Sequence, residues 1–137
     1  MTQDKLKLLT ISALAKETGL TQRIIHLHEE RGLIASVRNG DSGNRYFTPQ
    51  TVLRLNKVKQ LQAIGLSLQE IAEVLPLYMD GDDHGVRGKE AALAILHRHL
   101  AETDQHIESL GQLREEIIKS IARLEVLLEQ YRQLNRS

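Results

Sequence analysis

At 137 residues with 41% hydrophobic content, the chain suits one domain with an extension. One Phe, three Tyr and no Trp leave packing to aliphatic side chains, which favours helices over a β-sandwich, and the absence of Cys excludes disulfides, thiolate zinc sites and thiol redox sensing. Net charge is zero, yet residues 1–66 carry +5 and residues 67–137 carry −5, a basic head on an acidic stem that suits a polyanion-binding module.

A sensor of thiophilic metals is also disfavoured, because soft ions need thiolates. No apolar run approaches the roughly 20 residues of a membrane span. The polar N-terminus shows no export signal, so a cytoplasmic protein with no membrane partner is the simplest expectation.

Thr10 can cap a first helix, with Ile11, Leu14, Ala15 and Thr18 recurring on one face. Gly19 ends it. Thr21 caps a second helix running to about Arg31, with Ile24, Ile25 and Leu27 partly buried, and Gly32 stops it. So short a connection forces a sharp crossing, the geometry of a helix-turn-helix whose second helix enters the major groove. Thr21, Gln22, Arg23 and His26 fall near the start of that helix, where base edges and phosphates are met. Arg23 can fork onto a guanine or a phosphate. A single exposed Arg is ordinarily just a solvated side chain; its place in the motif is what argues otherwise.

Residues 37–47 read as a hairpin, with turn chemistry in Asn39-Gly40, Asp41 and Ser42-Gly43. Arg38 stands on the outgoing strand, Arg45 and Tyr46 on the return. A cationic hairpin beside a recognition helix is a wing, although taken alone it would be a polar surface loop. Phe47 is expected to turn inward. Thr48-Pro49 opens a third helix, with an apolar face of Val52, Leu53, Leu55, Val58, Leu61 and Ile64 and cations at Arg54, Lys57 and Lys59. Gly65 ends it, and Ser67-Leu68-Gln69-Glu70 is a capping box that starts a fourth helix to about Tyr78.

These residues resemble the MerR family of bacterial transcription regulators. The resemblance is carried by Leu9-Thr10-Ile11-Ser12-Ala13-Leu14-Ala15, Gly19-Leu20-Thr21, Arg23, Glu29-Glu30-Arg31-Gly32-Leu33-Ile34, Asn44-Arg45-Tyr46-Phe47 and Gly65-Leu66-Ser67-Leu68-Gln69-Glu70-Ile71, in order over roughly residues 9–78. It implies a mainly α fold, a winged helix-turn-helix head followed by a long dimerisation helix in an antiparallel coiled coil. It implies a homodimer on double-stranded DNA at a pseudo-palindromic promoter operator, acting by duplex distortion in response to an effector or, alternatively, by simple repression or without an effector, with RNA polymerase as a further partner. Thr21, Arg23, Arg45 and Tyr46 carry over as DNA contacts. Where the family's recognition helix continues with Arg, an aromatic residue and Tyr, this chain has His26, Leu27 and His28. His26 and His28 are therefore expected as phosphate donors in their place, with a partly packed side chain as the equal alternative for His28.

The head is expected to span residues 1–79. Residues 80–88, rich in Asp and Gly, read as a linker loop, and residues 89–137 as one helix. Leu96, Leu100, Thr103, Ile107, Leu110, Arg114, Ile117, Ile121, Leu124, Leu128 and Tyr131 step by alternating four and three residues, a coiled-coil seam. A lone helix cannot bury such a stripe. Its partner is a second copy, or, alternatively, the same chain folded back at Gly111. Thr103 and Arg114 interrupt the seam and can fix its register.

No separate effector domain is expected after the stem. Asp80, Asp82, Asp83, His84, His97, His99 and His106 offer oxygen and nitrogen donors, but His97 and His99 are two apart on a helix and diverge, so no metal or cofactor is expected. No catalytic serine motif, glycine-rich phosphate loop or HExxH appears, so an enzyme is not expected. The competing reading is a coiled-coil adaptor or assembly protein whose head binds protein.

Overall fold

The computed structural model describes residues 7–38 and 44–136. Within them lie five helices and a two-stranded sheet: α1 (Ile11–Thr18), α2 (Gln22–Glu30), β1 (Val37–Arg38), β2 (Arg45–Tyr46), α3 (Pro49–Ala63), α4 (Leu68–Met79) and α5 (Val86–Arg136). The expected turn residues Asn39, Gly40, Asp41, Ser42 and Gly43 lie outside the described residues. The chain divides into two compact units, Met1–Leu96 and His97–Ser137.

The helix starts follow from local chemistry. Thr10 Oγ1 accepts from the Ala13 N–H at 3.1 Å, and Thr21 Oγ1 from the Ile24 N–H at 3.1 Å. Each satisfies a donor that the helix itself leaves without a partner. Ser67 and Glu70 complete the capping box in both directions. Thr48 departs from expectation. It stands at the N-cap of α3, but its side chain makes no cap hydrogen bond and sits 3.5 Å from the Thr51 hydroxyl.

The first unit has two apolar clusters. Leu14, Ile25, Ile34, Phe47 and Leu55 join α1, α2, the hairpin and α3. Leu33, Val58, Leu61, Leu66, Ile71, Val74, Leu75, Ala92 and Ile95 join α3, α4 and the first turns of α5. Leu55 and Val58 lie one helical turn apart, so α3 serves both clusters. Full burial of each Leu, Ile or Phe contributes on the order of 1.5–3 kcal/mol. Phe47 is fully buried as expected, and its backbone pairs with Leu9 through two hydrogen bonds of 2.7 Å. Ile24, Leu53 and Ile64, expected on apolar faces, are exposed instead.

The cations of α3 turn out to be structural. Arg54 donates to the Leu33 carbonyl at 3.1 Å and to Asp80 at 2.9 Å. Lys59 donates to the Thr18 carbonyl at 2.6 Å. Lys57 lies 4.6 Å over the Tyr78 ring, with Lys89 5.6 Å from the same ring.

Helix α5 begins at Val86, earlier than expected, which shortens the loop to residues 80–85. The Asp83 carboxylate accepts from the N–H groups of Gly85 at 3.2 Å and Arg87 at 3.0 Å. His84 and Gly85 both take positive φ, 58° and 78°, to make the turn. Gly88 therefore lies inside the helix, buried against Tyr78. The helix also runs unbroken through Gly111, which removes the folded-back alternative. Leu96 is half-buried against the second cluster of its own unit.

Gly88 yields a prediction in which two effects oppose. Ala in a helix interior gains about 1 kcal/mol over Gly. A Cβ here would meet the Tyr78 ring at 2.6 Å and its backbone N at 2.9 Å. Overpacking costs roughly 1–3 kcal/mol. Gly88→Ala is expected to lower the chemical-denaturation midpoint; a raised midpoint would show that the ring yields.

Candidate nucleic-acid interface

The angle between α1 and α2 is set at a three-residue elbow. Thr18 is buried, donates its hydroxyl to the Leu14 carbonyl at 2.8 Å and accepts from the Leu20 N–H at 3.3 Å. Gly19 follows at φ 75°, a conformation Cβ-bearing residues disfavour, and its N–H returns to the Ala15 carbonyl. The Lys59 ammonium on the Thr18 carbonyl places a positive charge at the C-terminal end of α1, where the helix dipole favours it. Ile25, fully buried, then packs α2 against Leu14 in the shared core.

With Ile25 inward, Thr21, Gln22, Arg23, Ile24 and His26 lie exposed. Gln22 reaches back to the Ser12 hydroxyl at 3.3 Å. Arg23, Ile24, His26, Leu27 and Glu30 line an open hollow of about 340 Å3. His26 also lines a smaller one, about 180 Å3, with Ile11, Arg45 and Phe47. The recognition helix and the hairpin thus share one surface. It presents hydroxyl, amide, guanidinium and imidazole donors at a helix N-terminus, a set able to bind phosphates and to read purine edges.

The strands pair antiparallel, Val37 opposite Tyr46 and Arg38 opposite Arg45. Arg38 is exposed and Tyr46 half-buried. Arg45 has a duty that residue patterns alone did not suggest. Its guanidinium forms an ion pair with Glu29, and its Nε donates to the Ser36 hydroxyl at 3.3 Å. Ser36 in turn donates to Glu29 at 2.7 Å. Glu29, at the end of α2, thereby holds the wing to the recognition helix. Glu29 was visible as part of a motif, but only the fold brings residues 29, 36 and 45 together.

His28 corrects an expectation. It is 2% exposed, on the same face as Ile25 one turn earlier, and does not reach the outer surface. Among the described residues its Nδ1 has no hydrogen-bond partner. Burial, with the Arg31 guanidinium as a second cause, holds its pKa below the ordinary histidine range. It is a core residue rather than a phosphate donor.

Comparison with known proteins is consistent with this geometry. A family model described as MerR HTH family regulatory protein matches residues 9–77, and one described as MerR, DNA binding matches residues 52–120. The HTH-type transcriptional regulator CueR of Escherichia coli O6:H1 is 33% identical over 110 residues, 80% of this chain and 78% of that protein. CueR of Yersinia pestis is 34% identical over 106 residues, 77% of this chain and 73% of that protein. Among solved structures, a MerR family transcriptional regulator from Bacillus thuringiensis superposes with a TM-score of 0.52 at 24% identity, covering 77% of this chain and 95% of that one, which bears on the fold alone.

The buried imidazole implies an acid-sensitive head. Between its lowered folded-state pKa and the ordinary value of about 6.5, the unfolded chain binds a proton that the folded chain resists. Stability from this source is complete above about pH 6.5 and declines as pH falls through that window. Urea midpoints measured down that range should fall less steeply in His28→Leu than in the parent; equal slopes would assign the acid sensitivity elsewhere.

Proposed function

The chain belongs to the MerR family and is a DNA-binding transcription regulator; on that premise we propose that it acts as a homodimer, joined along α5, on a pseudo-palindromic promoter operator. The observation that carries this reading is the stripe on the second unit. Leu100, Ile107, Leu110, Ile117, Ile121, Leu124, Leu128 and Tyr131 are 49–64% exposed along one helix. Among the described residues of the unit, nothing covers them. Pairing two such helices withdraws a continuous apolar stripe from water on both, the dominant favourable term in association.

Charge supports an antiparallel pair. Residues 97–116 carry a net −3 and residues 117–137 a net +2. Antiparallel helices set each acidic half against a basic half, whereas parallel helices set like against like.

In this reading Thr21, Gln22, Arg23 and His26 meet one half-site, with Arg38 and Tyr46 at the flanking backbone and Arg45 holding the wing in place. A dimer engaging both half-sites imposes its own spacing on the duplex. Bending a site of 20–30 base pairs costs on the order of 1–6 kcal/mol. An effector that binds one protein state better than the other would shift which duplex shape is held. Promoter distortion, as opposed to simple occupancy, would appear as altered reactivity of bases between the protected half-sites, and RNA polymerase is the partner that reads the change.

Two substitutions test the parts separately. Arg23→Ala should weaken specific operator binding by about 1–3 kcal/mol and leave sedimentation unchanged; an unaltered affinity would remove Arg23 from base or phosphate contact. Ile121→Glu should convert the dimer to single chains at micromolar concentration and reduce operator affinity to that of a half-site. A parent protein that sediments only as single chains, with and without operator DNA, would overturn the homodimer.

A further inference from the structure

Resting on that dimer, we infer its register: two copies of α5 pair antiparallel with their two-fold axis at residue 112. The stripe begins earlier than the sequence pattern suggested. Leu93 is 56% exposed and stands three residues before Leu96, which continues the alternation of three and four. From Leu93 to Tyr131 the stripe has its midpoint at residue 112. Pairing about that point gives every stripe residue a counterpart within the stripe. Leu100 meets the partner's Leu124, Thr103 the partner's Ile121, Ile107 the partner's Ile117, and Leu110 the partner's Arg114.

The flanks of the seam agree. Gly111 lies within an exposed, continuous helix, with no described atom within 4 Å of a Cβ placed there. Relative to Ala it costs about 1 kcal/mol, and no contact among the described residues requires it. At this register it faces the partner's Gly111 on one side of the axis, where the missing side chains allow the backbones to approach. Leu113, 54% exposed and outside the seam, faces the partner's Leu113 on the other side. His97 falls beside the partner's Glu125.

Neighbouring registers fit less well. An axis between residues 108 and 109 sets Glu90 against the partner's Glu125 and leaves Leu128 opposite the partner's Lys89. An axis between residues 115 and 116 sets Asp104 against the partner's Glu125 and leaves Leu93 and Leu96 with no counterpart within the stripe. An axis at 119 leaves Leu100 and Thr103 in the same position as well. The two-fold requirement makes these discrete alternatives, because a slip must move whole heptads to keep the stripes facing.

The absence of cysteine from the chain makes the register directly readable. Each single-cysteine variant of the full-length protein carries one thiol that can join only to its copy. Treated with a short bis-maleimide at micromolar concentration, Leu113→Cys and Gly111→Cys are expected to give covalent dimers on a denaturing gel. Ile118→Cys is expected to remain single, its thiols being roughly 18 Å apart along the axis at 1.5 Å per residue. Self-linking of Ile118→Cys would put the axis at 119. Linking of Gly111→Cys to Ile118→Cys only when the two are mixed would put it between 115 and 116. Self-linking of Leu124→Cys would mean parallel helices. Each of these outcomes overturns the proposal. Sedimentation of the untreated proteins separates the two levels of inference: a parent that is monomeric removes the dimer itself, while dimeric variants that fail to link at both 111 and 113 remove the register alone.

Discussion

The arrangement of the outer face of α2 and the wing depends on how the chain turns between its first two helices. Thr18 is buried with its hydroxyl engaged on both sides, Gly19 supplies the left-handed step, and Lys59 anchors the end of α1 from a third helix. Once that elbow is closed, burial of Ile25 against Leu14 rotates α2 so that residues 21–24 and 26 emerge on the outside. The wing is then referred to the same helix through Glu29, Ser36 and Arg45. Side chains held outward at a fixed angle need a rigid frame, and here the frame is built from polar contacts at the elbow and the wing, with apolar packing between them.

Much of this frame was legible in the chain. Thr10, Thr21 and Ser67 act as caps because a short side-chain oxygen can satisfy a free backbone N–H, and Gly19, Gly32 and Gly65 mark turns because they take positive φ. Such signals act within three or four residues, so they survive reading in isolation. The winged helix-turn-helix reading and family membership followed from them.

What escaped depends on contacts distant in sequence. The start of α5 was hidden because Asp83, His84 and Gly85 resemble a loop, whereas Asp83 caps the helix that follows. Gly88 read as the end of that loop, but the glycine lies in the helix and makes room for the Tyr78 ring. His28 was assigned by its place in a family motif, while its three-residue spacing from Ile25 put it on the buried face. In each case the local chemistry was right in kind and was overruled by what packs against it.

The internal commitments of Arg45, Arg54, Lys57 and Lys59 have a consequence for how the protein responds to ionic strength. Release of condensed counterions from a duplex scales with the phosphates actually neutralised, at a slope of about 0.9 per phosphate in a double-logarithmic plot. Side chains already holding a carboxylate, a ring or a carbonyl displace few of those ions. The formal charge of the first 66 residues therefore overstates the polyelectrolyte share of binding, and discrimination between sequences should persist at ionic strengths that strip away indiscriminate association.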